Sequence, residues 1–222
     1  FTGDGIDIDT LFAKPLQAVL DHDGMGIPTI KPWCEEGVQA RIERFKGHQV
    51  FALATDVDAA GLVLLRKGTT PVVNKSVADL KKMKEMAGGI PLIVKGVLTV
   101  EGARKCVEAG ADAIVVSNHG GRVLDDALST IEVLPEIAAA VKGQITILVD
   151  GGFRTGLDVF KALALGADGV MIGRPLALAA VGGGKEGVRM MLDKIRSELR
   201  ETMIMSGCST IAEITRSHVH ID

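Results

Sequence analysis

The sequence predicts an α/β fold, a (β/α)8 TIM barrel, and three observations support that prediction. Short apolar runs alternate with longer amphipathic segments along the chain. A helix-Gly-Ala-Asp-strand joint occurs twice, at an offset of 56 residues. Polar and glycine residues follow five successive apolar runs. This last pattern is typical of a barrel, in which functional residues collect at the carboxyl ends of the strands.

Six apolar runs have the length of buried strands, at residues 27–30, 50–54, 90–94, 113–116, 145–149 and 169–172. Each run is continuous rather than alternating, as expected for parallel strands that are covered on both faces. Residues 1–3 offer a further short stub. Because a complete barrel has eight strands and about 250 residues, we expect one strand and most of another to precede residue 1.

Amphipathic spacing predicts helices over residues 77–86, 100–109, 156–165 and 185–206, with a turn at 182–184. Two of these helices end at Gly110 and Gly166, the residue type that closes helices in a left-handed conformation. The strand-free stretch 59–89 is predicted to hold one helix and a mobile excursion over the site. A doubly wound sheet is the competing fold, but no GxGxxG motif follows an early strand.

Composition limits the classes of function. The chain has 222 residues, 47% of them hydrophobic, and a net charge of −3, which predicts one folded domain over residues 1–222. Neither nucleic acid nor a membrane is indicated as a partner, because no basic excess and no apolar run of about 20 residues occurs. Three scattered cysteines without a CxxC pair argue against a metal site and favour a cytoplasmic protein.

The last two predicted strands are followed by glycine and arginine: Asp150, Gly151, Gly152 and Arg154 after the fifth, Gly173 and Arg174 after the sixth. Glycine lets backbone N–H groups approach a phosphate, and guanidinium groups bind its oxygens in pairs. The alternative is that the arginines pair with surface carboxylates and the glycines only make turns. Both ends together favour a phosphate site, which barrels of this class often place there.

The preceding strand ends supply a second set of candidates. His119 and Arg122 follow the fourth run, and this pairing suits proton transfer by an imidazole beside a carboxylate-binding guanidinium. Lys95 follows the third run and is open to three interpretations: a rim salt bridge, a Schiff-base amine or a charge partner. Asp58 follows the second run and either orients His119 or caps a helix.

These motifs closely resemble the FMN-dependent α-hydroxy acid oxidase/dehydrogenase family, which includes glycolate oxidase and lactate oxidase. The resemblance is carried by Ser-Asn-His-Gly-Gly-Arg-Val-Leu-Asp at 117–125, Asp-Gly-Gly-Phe-Arg at 150–154 and Gly-Arg-Pro at 173–175, and it extends from about residue 91 to 216. Before residue 91 the chain is similar to short bacterial members of the family, which are α-hydroxy-acid oxidising proteins. The resemblance implies one FMN-binding barrel domain, N-terminally incomplete, that oxidises a small L-2-hydroxy acid such as lactate or glycolate. It also implies a homo-oligomer, with a tetramer as one form.

The resemblance also implies individual roles. Lys95 matches the lysine beside the flavin N1/C2 carbonyl, and Ser117 matches a serine that contacts the flavin. His119 matches the catalytic base, supported by Asp58, and Arg122 matches the substrate-carboxylate arginine. The residues that match the FMN phosphate site are Asp150, Gly151, Gly152, Arg154, Gly173 and Arg174.

The chain departs from the family pattern near the substrate. It contains no tyrosine, and one of the family's tyrosines would fall near Lys31, while Asp56 stands where a threonine is usual. Two other functions are therefore weighed against the oxidase. An isomerase resembling type-2 isopentenyl diphosphate isomerase would share the flavin barrel, but Arg122 disfavours it. A non-catalytic flavin-binding module would lack hydroxy-acid oxidation altogether.

Overall fold

Six parallel strands form one sheet in a computed structural model that describes residues 1–4, 8–68 and 70–220. The strands are β1 (Thr29–Ile30), β2 (Leu53–Asp56), β3 (Leu92–Val97), β4 (Ala113–Val116), β5 (Thr146–Val149) and β6 (Gly169–Val170). Each strand pairs with the next one along the chain, so the order is β1-β2-β3-β4-β5-β6. This order is that of a (β/α) barrel and excludes the doubly wound alternative, whose strand order reverses at a switch point. All six predicted strands are confirmed.

The described residues form helices α1 (Ala13–Leu20), α2 (Glu35–Glu43), α3 (Val63–Arg66), α4 (Val77–Met86), α5 (Val100–Glu108), α6 (Thr130–Val141), α7 (Gly156–Ala164) and α8 (Arg174–Met205). A π-helical turn, Ile8–Phe12, precedes α1, and 3-10 turns cover Val57–Gly61, His119–Gly121, Ile211–Glu213 and Arg216–His218. The predicted helices at 77–86, 100–109 and 156–165 are confirmed. Among the described helices, none combines the length and the apolar composition that a membrane-spanning helix requires.

Three sequence predictions about the chain's elements need correction. The stretch 59–89 holds two helices, α3 and α4, instead of one. Residues 1–3 form no strand, although the Thr2 amide donates to the Ile27 carbonyl (2.9 Å) beside β1. The last helix begins at Arg174 instead of 185, but it is interrupted inside the predicted turn, at Gly184 (φ 55°, ψ −144°), so that residues 185–205 form its second part, as predicted. The kink brings Gly187 close to Ala179, where a Cβ on Gly187 would lie 2.3 Å from the Ala179 carbonyl oxygen. Residue 69, in the long predicted connection, lies outside the described residues.

The repeated Gly-Ala-Asp joint fixes each new strand to the preceding one. Gly110 and Gly166 end their helices with φ values of 75° and 108°, as predicted. Asp112, just before β4, accepts a hydrogen bond from the Leu92 amide of β3 (2.6 Å), and Asp168, just before β6, accepts one from the Ile147 amide of β5 (2.8 Å). The repeat in the sequence therefore encodes the same strand-to-strand connection at two places in the sheet.

The face of the sheet that points away from the helices changes from apolar to charged along the strands. Its apolar part includes Ala54, Ile93, Val115 and the half-buried Leu148. Side chains two residues apart share a face, so the next positions on that face are Asp56, Lys95, Ser117 and Asp150. Lys31 follows β1 and is ion-paired with Asp56. We call these five residues the polar layer; they lie at the carboxyl ends of the strands.

Candidate active site

A cavity of about 920 Å³ lies beside the polar layer and brings most of the predicted site residues together. Its wall includes Lys95, His119, Arg122, Asp150, Gly151, Gly152, Arg154, Gly173 and Arg174. The other two predicted residues contact residues of this wall: Asp58 contacts His119, and Ser117 contacts Lys95 and His119. The wall also contains apolar residues that sequence reasoning did not single out for the site, among them Phe153, Met171, Ile172 and Leu178. Phe153 stands inside the 150–154 motif but was given no role, and the other three have no local motif that could have distinguished them from core.

His119 is held in an unusual backbone conformation at the end of β4. Its φ of 56° lies in the left-handed region, which residues other than glycine seldom occupy. Ser117 Oγ accepts a hydrogen bond from the His119 amide (3.1 Å), and Asn118 Oδ1 accepts one from the Gly120 amide (3.0 Å). Such strain persists only where the surroundings fix it, and it concentrates at functional sites.

A carboxylate orients the imidazole of His119. Nδ1 lies 3.1 and 3.2 Å from the two carboxylate oxygens of Asp58. Because an ionised carboxylate only accepts hydrogen bonds, the neutral ring carries its proton on Nδ1 and leaves Nε2 free to accept one. Asp58 occupies the interior of the 3-10 turn instead of its N-cap, so the helix-cap interpretation is wrong.

Gly96 makes this contact possible, and the sequence analysis gave it no role. It has a φ of 95°, and a Cβ at this position would lie 2.5 Å from both Cγ and Oδ1 of Asp58. The strand register is also irregular between Lys95 and Val97. A glycine inside a strand is a recognised sign of close approach by another group, so the signal was present in the sequence.

Lys95 is a buried charge partner. Its side-chain Nζ donates to Ser117 Oγ (2.8 Å) and lies 3.3 Å from Asp150 Oδ2. Ser117 is fully buried and accepts hydrogen bonds from both Lys95 and the His119 amide. Within the described chain, Asp150 Oδ1 is buried without a hydrogen-bond partner. Ser117 and Asp150 thus fix Lys95 at the cavity wall, while one oxygen of Asp150 stays unsatisfied.

Three guanidinium groups at the cavity form no ion pair with any carboxylate of the described residues. The arginine ion pairs of the described residues involve Arg41, Arg44, Arg189 and Arg196, and none involves Arg122, Arg154 or Arg174. The alternative in which the site arginines pair with surface carboxylates is therefore wrong. Three unpaired cations that share one cavity create a positive potential suited to small anions.

The glycine-rich segment after β5 is anchored on both sides. Gly151 and Gly152 have φ values of 99° and 86°, and Thr130 Oγ1 donates to the Asp150 carbonyl (2.5 Å). Asp158 accepts hydrogen bonds from the Arg154 and Thr155 amides (3.0 and 2.9 Å). Partial burial acts to raise the pKa of Asp158, but these hydrogen bonds together hold it below its ordinary value.

Fold and site together define an α/β barrel protein with an anion-binding cavity and an imidazole–carboxylate pair at the carboxyl ends of its strands. The model of the FMN-dependent dehydrogenase family matches residues 34–221. Since this match covers most of the chain, the chain belongs to the FMN-dependent dehydrogenase family.

Curated relatives support the same family. A peroxisomal (S)-2-hydroxyacid oxidase of Arabidopsis thaliana is 53% identical over 133 residues, which are 60% of this chain and 37% of that protein. Glycolate oxidase 3 of Oryza sativa subsp. indica is 49% identical over 144 residues, 65% of this chain and 39% of that protein. The chain thus spans less than half the length of the curated relatives it matches.

Solved structures of mandelate oxidase share the fold. A variant with a monooxide FMN adduct has a TM-score of 0.80 and 35% identity, covering 90% of this chain and 65% of that one. A variant with 4-Br-2-hydroxy-methylphenylacetate has a TM-score of 0.82 and 34% identity, covering 93% and 67%. The predicted fold class is confirmed by this likeness together with the strand order.

Proposed function

We propose that this protein oxidises a small L-2-hydroxy acid, of the lactate or glycolate type, to the 2-oxo acid with FMN as cofactor. One observation carries the proposal: His119, backed by Asp58, lines the same cavity as the unpaired Arg122, Arg154 and Arg174. This combination provides a base, a group for the substrate carboxylate and a site for the cofactor phosphate.

The residues present fit FMN. A Cβ at Gly152 or Gly173 would meet nothing within 4 Å, so the backbone there is open to a phosphate that Arg154 and Arg174 would bind. Lys95, which lines the same cavity, would place its charge beside the flavin ring. Bound FMN supplies the two-electron acceptor that the oxidation needs.

The chain's own residues would then perform the proton chemistry. Arg122, whose Nε donates to the His119 carbonyl oxygen (3.2 Å), keeps its terminal nitrogens for the substrate carboxylate. His119 Nε2 accepts the proton from the carbon or the hydroxyl of the substrate. Asp58 stabilises the resulting imidazolium through Nδ1. A base and a carboxylate clamp three residues apart would orient the substrate along the cavity wall.

Two variants test this division of roles in protein reconstituted with FMN. His119→Ala is expected to lower the rate of anaerobic flavin reduction by a 2-hydroxy acid by about 10²–10⁴-fold, because that is the usual contribution of a general base. Arg122→Met is expected to weaken mainly the binding of the substrate. Both variants should still bind FMN. Stopped-flow absorbance measures both effects. A His119→Ala protein that is reduced at the wild-type rate would contradict the proposal.

The two rival functions receive less support. An isomerase on the same flavin barrel has no use for a guanidinium beside the imidazole, as Arg122 is here. A non-catalytic flavin-binding module would bind FMN yet show no reduction by any hydroxy acid. We further propose a homo-oligomer in the cytoplasm, which light scattering and cell fractionation can test; the Arabidopsis relative is named as peroxisomal.

A further inference from the structure

The polar layer contains an ion pair that the proposed reaction does not use. Lys31 Nζ donates to Asp56 Oδ2, and the two side chains are only 12% and 5% exposed. The same Asp56 oxygen lies 4.0 Å from His119 Nε2. The imidazole therefore stands between two carboxylates, Asp58 on the Nδ1 side and Asp56 on the Nε2 side.

Two carboxylates beside one imidazole favour its protonated form, because opposite charges within about 4–6 Å stabilise the ion. A protonated imidazole cannot accept a proton from a substrate. The Lys31 ammonium opposes this effect, since it neutralises Asp56 from the other side. In the described part of the chain, Asp56 Oδ1 is buried without a hydrogen-bond partner, so Lys31 is the donor that Asp56 depends on.

The other charged groups around His119 do not replace Lys31. Lys95 is paired with Asp150, so these two residues of the layer offset each other. Arg122 contacts the backbone carbonyl of His119, and Arg174 lies against Gly120. Among the described residues, the carboxylate that lies within 4.0 Å of His119 Nε2 is that of Asp56.

We propose that Lys31 and Asp56 are a charge-matched positioning pair that sets the pH range in which His119 accepts a proton. The inference rests on the proposed function, in which His119 is the base. Asp56 draws the imidazole toward its charged form, and Lys31 offsets that pull. Loss of either partner alone leaves an uncompensated charge in the barrel interior beside the imidazole.

The test follows the ring protons of His119 by NMR across a pH titration of protein without substrate, with the signal assigned by its loss in His119→Gln. Lys31→Met should move the midpoint of this titration upward by about one pH unit or more, because Asp56 then acts unopposed. Asp56→Asn should move it downward, because the Lys31 ammonium then repels the imidazolium. The double variant should return close to the wild-type midpoint.

Controls separate charge balance from general damage. Lys31→Arg keeps the charge and should leave the midpoint near that of the wild type. Lys46→Met removes an exposed lysine that pairs with Glu43 and should leave the midpoint unchanged. If Lys31→Met fails to fold, Lys31→Gln replaces it. In the holoenzyme, the acid limb of kcat/KM should move in the same directions as the imidazole titration.

The outcomes distinguish the two proposals. Unchanged midpoints in both single variants, or midpoints that move in the same direction, would overturn the charge-matched pair. A wild-type holoenzyme that no hydroxy acid reduces would overturn the proposed function. Opposite shifts of the imidazole in such an inactive protein would still support the pair, because NMR reads the charge balance without turnover.

Discussion

At the scale of single residues, the contact between Asp58 and His119 depends on the absence of a side chain at Gly96. The Asp58 carboxylate occupies the space where a Cβ on residue 96 would stand, 2.5 Å from Cγ. Gly96 also adopts a φ of 95°, which other residues reach only with strain. The orientation of the proposed base is thus set from a neighbouring strand.

Gly96→Ala should therefore impair catalysis while it preserves FMN binding. Displacement of Asp58 leaves the imidazole without its Nδ1 partner, and a misplacement of about 1 Å costs on the order of 10² in rate. Reduction kinetics and an FMN titration measure the two effects. Gly88→Ala is the matched control, because Gly88 also has a positive φ (61°) but a Cβ there would meet nothing within 4 Å. Equal loss of activity in both variants would refute this role of Gly96.

Sequence reasoning located the residues that belong to local motifs. His119 and Arg122 stand three positions apart, and Gly151, Gly152 and Arg154 form one short segment, so their shared location could be predicted from strand ends alone. The contact of Asp56 with Lys31, by contrast, joins residues 25 positions apart. It depends on the pairing of β1 with β2, and no local pattern encodes that register.

At the scale of elements, capping boxes mark helix starts but do not decide which helices were predicted, because α6 also begins with one, Ser129 with Glu132, and was missed. α4 and α7 begin with capping boxes, Ser76 with Asp79 and Thr155 with Asp158, and such signals lie within a few residues of the helix start. The start of α8 at Arg174 was missed because Gly182–Gly184 looks like a turn in sequence. There the helix is interrupted at Gly184, in accord with the low helix propensity of glycine, and Gly187 lies close to Ala179.

Asp158 gives α7 a pH-dependent contribution to stability. Its pKa lies below the ordinary value in the folded protein, because the hydrogen bonds from Arg154 and Thr155 outweigh the opposing effect of burial. A lowered folded-state pKa stabilises the fold above the ordinary pKa of about 3.9, and the contribution is lost as the pH falls through the folded value. Asp158→Asn should thus be less stable than the wild type at pH 7.

Urea denaturation of both proteins between pH 7 and pH 3 checks this expectation. The gap in the free energy of unfolding should narrow as the pH falls, because protonation removes the wild type's advantage. Glu85→Ala, an exposed position of α4, is the control for loss of one carboxylate. A difference in the free energy of unfolding that stays constant over the whole pH range would show that the charge of Asp158 does not contribute to stability.

At the scale of the whole molecule, an almost balanced chain concentrates unpaired positive charge at one cavity. The net charge is −3, yet Arg122, Arg154 and Arg174 share one wall and form no ion pair with a carboxylate in the part of the chain that the structure describes. Global composition gave no hint of this field. It arises because parallel strands bring their carboxyl ends, with the glycine–arginine segments, to one edge of the sheet.

Arg174→Met should weaken the binding of FMN by about tenfold or more, since a hydrogen bond to a charged group contributes about 1.5–3 kcal/mol. Binding of riboflavin, which lacks the phosphate, should change little. Fluorescence titration with both flavins measures the difference. Arg189→Met on the same helix is the control, because Arg189 is exposed and pairs with Glu186 and Asp193. Equal weakening of both flavins would argue against a phosphate contact.

The central claim is that one cavity unites a base, a carboxylate clamp and a flavin site for the oxidation of 2-hydroxy acids. The most direct measurement is the anaerobic absorption spectrum of the FMN-loaded protein before and after addition of lactate, glycolate and mandelate. We expect the visible absorption band of the flavin to bleach with at least one L-2-hydroxy acid, and the matching 2-oxo acid to form in an amount equal to the flavin reduced. A protein that binds FMN and keeps its full absorbance with every acid of a broad panel would contradict it.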